Sequence, residues 1–215
     1  MSRFDINFQR KRFERLGYYG AKGIPAELSL IRIDEPLVNG QGVYNFNLKK
    51  ENLSASESNL KRNDLFVVLG LGVFLTVKDS TKPGTEQLLT YALQENTSAG
   101  IVGFKTQDIN ALYNGFLHIT TGTTVNFNAL PCGLFERIPC YQPELVYDGS
   151  TGMIANGAKA SFDMNRDLQI MAEELVFAGT QDHKIQVSFP TFASADYTSA
   201  TSNCETYISF VALGY

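Results

Sequence analysis

Tryptophan is absent, histidine occurs twice and cysteine three times in 215 residues. Two histidines are too few for the ligand sets that zinc catalysis uses, so a zinc enzyme is not expected. Three cysteines make no disulfide framework, which points to an intracellular origin. Charged residues are scarce at 19%, against the highly charged exterior of a long coiled coil. Hydrophobic residues reach 44% with a formal charge of -4, the opposite of the signature of disorder. The longest apolar run, Leu65–Val77, is broken by Gly70, Gly72 and Thr76 and is too short for a membrane helix. The first residues lack a continuous apolar h-region, so no signal peptide is expected. There is no G-x-S-x-G, no P-loop and no dinucleotide fingerprint, since Gly70-Leu71-Gly72 supplies only G-x-G. The expectation is therefore a non-enzyme, with no catalytic residue, no cofactor and no small-molecule substrate.

What is present is aromatic and unevenly charged. Fifteen Phe and ten Tyr suit half-buried strands. Residues 1–22 hold Arg3, Arg10, Lys11, Arg12, Arg15 and Lys22 against Asp5 and Glu14, a net of +4, which leaves -8 on the rest. Phe4, Ile6 and Phe8 recur at period two, then Phe13 and Leu16 at helical spacing. Gly17, Gly20 and Gly23 follow and end the run. Residues 1–25 thus read as a basic, hydrophobic arm, and residues 26–215 as one body of sandwiched strands or two compact subdomains. The contact residues of the arm are Phe4, Phe8, Arg10, Lys11, Arg12, Phe13 and Arg15. Arginines could neutralise phosphates or lipid headgroups, but the exposed aromatics favour docking on protein or lipid.

The body reads as antiparallel strands. Ile31 and Ile33 precede Asp34-Glu35-Pro36, which should stop the first run. Tyr44, Phe46 and Leu48 share one face of the next. Residues 49–63 are polar and aperiodic. Leu65–Val77 reads as a core strand covered on both faces, its glycines marking a bulge or a close approach. Residues 86–93 fit strand or helix equally, and so do residues 168–177. Residues 107–113 form a helical turn. Phe116–Thr121 and Val125–Ala129 make a hairpin. Leu134–Ile138 reads as an edge strand or extended arm, and residues 149–161 as a long glycine-bearing loop. Ile185, Val187 and Phe189 alternate in a clear strand, and Tyr207–Leu213 closes the fold. The prediction is an all-β antiparallel sandwich of about eight or more strands with one or two short helices.

Few residues point to chemistry. His118 reads as a structural strand histidine and His183 as a surface residue in a polar turn. Cys132, Cys140 and Cys204 read as small hydrophobes. Asp163, Asn165, Asp167 and Glu174 fall at positions 1, 3, 5 and 12 of a calcium-loop pattern. Position 6 is Leu168 where the pattern needs glycine, so the set is a weak metal candidate. Asp34/Glu35 and Glu173/Glu174 are adjacent pairs whose members point to opposite strand faces, which makes neither a joint acid/base unit.

Four segments carry a resemblance: Leu60-Lys61-Arg62-Asn63-Asp64-Leu65-Phe66-Val67-Val68, Ala111-Leu112-Tyr113-Asn114-Gly115-Phe116-Leu117-His118-Ile119, Leu130-Pro131 before Leu134-Phe135, and Tyr207-Ile208-Ser209-Phe210-Val211. In these the chain resembles jelly-roll capsid or capsid-associated proteins of tailless or Bacteroidetes-infecting bacteriophages. The resemblance implies a jelly-roll sandwich and a structural role in the virion, assembled in the host cytoplasm. It also implies copies of itself and other virion proteins as partners, with nucleic acid or a membrane surface as partners of the arm. The competing expectation is a carbohydrate-binding or adhesion sandwich, with Tyr18, Tyr19, Tyr141 and Tyr147 as stacking faces.

Overall fold

The computed structural model describes residues 28–81, 87–89, 111–135, 144–147, 153–156, 167–189 and 204–215. Among them run eleven strands: β1 (Ser29–Pro36), β2 (Val43–Phe46), β3 (Leu65–Asp79), β4 (Gln87–Leu89), β5 (Phe116–Thr121), β6 (Thr124–Pro131), β7 (Glu144–Tyr147), β8 (Met153–Asn156), β9 (Gln169–Ala178), β10 (His183–Ser188) and β11 (Cys204–Gly214). Short 3-10 helices occupy Ala111–Asn114 and Cys132–Phe135. The arm, residues 1–25, lies outside the described residues.

The strands form two antiparallel sheets and a separate β7-β8 pair. One sheet has the order β1-β11-β3, with β9 and β4 both pairing β3; the other has the order β2-β10-β5-β6. The pairings are nested along the chain. β1 pairs β11, β2 pairs β10, β3 pairs β9 and β5 pairs β6. Each sheet is then completed by one cross-pairing, β11 with β3 and β10 with β5.

Period-two patterning explains why the sheets stack. Ile31, Ile33, Leu71, Val73, Leu75, Ile208 and Phe210 enter the core from the first sheet, and Tyr44, Phe46, Leu117, Ile119, Ile185 and Val187 enter it from the second. Phe210 lies 5.9 Å from the Phe46 ring and 6.5 Å from that of Phe177. Each such side chain contributes roughly 1.5–3 kcal/mol on burial, so this layer holds the fold together. On the opposite face of the first sheet a second cluster gathers Leu69, Phe74, Leu88, Leu168, Val211 and Leu213. β3 is thus covered on both faces, which is why its sequence is apolar almost throughout. Its inward residues run Phe66, Val68, then Leu71, Val73, Leu75. The phase slips where the pairing with β9 shifts, between Val68 and Gly70. A bulge produces that slip by adding one residue to the strand.

Three sequence expectations need correction. Asp34-Glu35-Pro36 ends β1 from inside the strand and not before it: these residues pair Ser209, Ile208 and Tyr207 of β11, and the strand stops at Pro36, which is tolerated at the end of an edge strand. Leu134 and Phe135 lie in a 3-10 helix rather than an edge strand. Cys132 and Phe135, three residues apart, are both buried there, and that spacing matches the helix period. The loop expected over residues 149–161 contains β8, paired with β7. The ambiguous residues 87–89 and 169–178 are strands.

Candidate functional site

The densest polar arrangement in the described residues is built on β1. Ile31 and Ile33 face the core, so Arg32 and Asp34, each one residue on, share the opposite face. Both are buried. The Arg32 guanidinium donates from Nε to Asp34 Oδ1 at 3.0 Å and from Nη2 to Asp34 Oδ2 at 3.2 Å. Nη2 also reaches Thr76 Oγ1 at 3.1 Å, and that hydroxyl lies 2.6 Å from Ser209 Oγ. Lys78 Nζ completes the pairing 2.9 Å from Asp34 Oδ2 and sits 4.2 Å over the Tyr207 ring. β1, β3 and β11 thus each supply members, and the sheet register places them side by side.

Residues 49–60 fold over this cluster as a seal. Glu57, whose side chain is 2% exposed, accepts from Lys50 Nζ at 2.8 Å and from the backbone N–H groups of Asp34 and Ser54 at 2.9 and 2.8 Å. Burial works against its charge, but these donors prevail and hold its pKa down at about 2. Glu35, by contrast, is pushed up by burial, and Lys50 only partly offsets that. The loop also satisfies the outward backbone of β1. Arg32 and Ser58 exchange N–H···O bonds at 3.0 and 2.9 Å, the Ser58 hydroxyl donates to the Leu30 carbonyl, and Lys50 Nζ donates to the Asp34 carbonyl at 2.9 Å. An exposed strand edge is a template for pairing with another chain, and here that edge is occupied. Asp34 and Glu57 are neutralised at hydrogen-bond distance by Arg32, Lys78 and Lys50. That arrangement ties the strand, the loop and the neighbouring strands together.

Beside the seal lies an open cleft of about 480 Å³ lined by Lys49, Glu51, Leu60, Lys61, Arg62 and Thr180 among others. The turn at Lys61–Asp64 packs directly on Gly179, whose N–H donates to the Asp64 carbonyl at 2.9 Å. Any side chain at Gly179 would run into the Lys61 carbonyl, so this position requires glycine.

The sequence-derived candidates are placed as follows. Asp167 is buried, and Glu174 stands in β9; Asp163 and Asn165, the other two members of the calcium-loop set, lie outside the described residues. The arm residues Phe4, Phe8, Arg10, Lys11, Arg12, Phe13 and Arg15 are likewise outside, as are Tyr18, Tyr19 and Tyr141. His118 contacts Ser188 Oγ at 2.8 Å across the second sheet. His183 is not a surface turn residue: it is half-buried at the start of β10, edge-on to Phe177. Cys132 is buried, and burial pushes its thiol up to about 12, so it behaves as a small hydrophobe.

Sequence reasoning missed Arg32, Lys50, Glu57 and Lys78. A signal existed for the first: in Ile31-Arg32-Ile33-Asp34 opposite charges recur at period two. Compared with protein-family models, curated proteins and solved structures, the chain matches none.

Proposed function

We propose that this chain is a jelly-roll structural protein of a virion, capsid or capsid-associated, that assembles through lateral contacts between copies. The observation that carries the reading is the nested pairing. Take the eight strands of the two sheets other than β4: first pairs last, second pairs seventh, third pairs sixth and fourth pairs fifth. A hairpin of hairpins of this kind supports reading the sandwich as a double-sheet jelly roll, an architecture used by viral capsids, lectins and cupins. Among those uses, the interior favours a building block. Tyr44, Phe46, Phe135, Phe177 and Phe210 are almost wholly buried and fill the middle with a rigid packed core. The working surfaces are therefore external. The charge asymmetry adds support, since a basic arm on an acidic body favours contact between copies.

The test is the mass of the purified full chain by analytical ultracentrifugation, with negative-stain microscopy. Closed, regular assemblies are expected. A strictly monomeric species at high concentration would overturn the reading, and specific binding in a glycan screen by such a monomer would replace it with the adhesion alternative.

A further inference from the structure

The two sheets end differently, and the difference points to where copies join. The outward backbone of β1 is satisfied by residues 50–58. β6 is a terminal strand of the second sheet, at the end opposite β2. Among the described residues its backbone is bonded to β5, apart from a contact of the Asn126 side chain with the Thr124 carbonyl at the hairpin end. The strand reads Thr-Val-Asn-Phe-Asn-Ala-Leu-Pro and carries no charge. Val125 is 60% exposed, while Phe127 and Leu130 are half-buried against the core. Natural edges are blunted by charges, bulges or covering loops. β6 has register shifts against β5 and Pro131 at its end, which restrict an added strand to a short one.

We infer that β6 accepts, by strand addition, the segment Phe4-Asp5-Ile6-Asn7-Phe8 of a neighbouring copy. The segment is five residues long and alternates apolar with polar, so Phe4, Ile6 and Phe8 would continue the apolar layer of Phe127 and Leu130. Backbone bonds supply the affinity in this mode, and alternate side chains supply the selectivity. The geometry favours a neighbour over the chain's own arm. The arm joins the fold at β1, which lies against β2, and β2 is at the opposite end of its sheet from β6. The point where the arm attaches is therefore on the far side of the sandwich from β6 of the same copy. Joining the β1 side of one copy to the β6 side of the next is a heterologous contact, which closes into rings when the rotation permits. This inference rests on the self-assembly reading and names the surface that reading needs.

Hydrogen exchange by mass spectrometry on the assembled full chain is the test, with Ile6→Asp and Val125→Lys as variants and sedimentation as a parallel readout. Amides of β6 are expected to be protected in the assembly. Either substitution should reduce that protection by about tenfold or more and lower the sedimenting mass, while β10 and β11 amides stay protected and report an intact fold. Rapid exchange of β6 inside an intact assembly would overturn the inference and leave self-assembly standing. So would β6 protection that survives Ile6→Asp. A wild-type chain that never assembles would overturn both.

Discussion

β1 and β6 are both terminal strands of eight residues in the same sandwich, yet among the described residues one edge is closed by its own chain and the other is not. The closure of β1 is assembled from distant parts: Ser58 bridges Arg32 through two backbone bonds, Glu57 takes the Asp34 N–H and Lys50 takes the Asp34 carbonyl. β6 carries no charge, and among the described residues it has no bridge beyond its hairpin partner. Closing an edge removes a route to unwanted pairing. The charged cluster on β1 is thus understood as the anchor of the seal.

Breaking that anchor should have the largest effect. Asp34→Ala strands the Arg32 and Lys78 cations, whose side chains are 8% and 14% exposed. Removing one partner of a buried pair costs about 3–5 kcal/mol, and urea denaturation should register a loss of that size. Glu57→Gln comes next. The Glu57 pKa falls from 4.5 to about 2 on folding, so its contribution is complete above pH 4.5 and is lost as pH falls toward 2. The shift corresponds to a contribution on the order of 3 kcal/mol. Stability measured across that window should fall in the wild type and flatten in the variant. A variant that keeps the wild-type slope would show that the seal is not held by Glu57.

Much of the sandwich was legible because burial on one face writes itself at period two. Tyr44/Phe46/Leu48 and Ile185/Val187/Phe189 gave β2 and β10, and the two runs around Gly122 gave the β5–β6 hairpin, where Gly122 takes the positive φ of the turn. β9 was not readable because Met171 and Leu175, both in the main core, stand four apart as they would on a helix, across a shift in register. β8 is four residues among glycines and small side chains, too short to show a period. The seal was least legible. Its loop is aperiodic and polar, and Lys50 and Glu57 of that loop and Lys78 of β3 meet Asp34 only in the folded chain, which no local spacing rule encodes.

On the open edge, substitution should cost little. Val125→Lys places a charge at a position already 60% exposed, and surface changes of this kind stay within about 0.5 kcal/mol. A thermal denaturation midpoint within a few degrees of wild type is expected, in contrast with Asp34→Ala. A large loss would mean that β6 is more buried in the free chain than its edge position implies.

The smallest effect concerns the far anchor of the seal, where Lys49 of the loop meets Asp182 at 3.3 Å and His183 follows. His183 Nε2 lies 2.8 Å from the Ala178 carbonyl, so it carries the proton, and Nδ1 is buried without a partner. Burial lowers the His183 pKa, and nearby Lys49 lowers it further against the opposing Ala178 carbonyl and Asp182. Protonation would place a second N–H where no acceptor waits. The unfolded chain therefore binds the proton more readily, and stability contributed by neutral His183 is complete above its ordinary value of 6.5 and declines as pH falls through the lower folded value. His183→Phe should remove that decline while leaving the acid limb from Glu57 in place. A wild-type profile that is flat between pH 6.5 and the onset of the Glu57 limb near pH 4.5 would show that His183 is free to take up its proton in the folded state, and that this end of the seal opens readily.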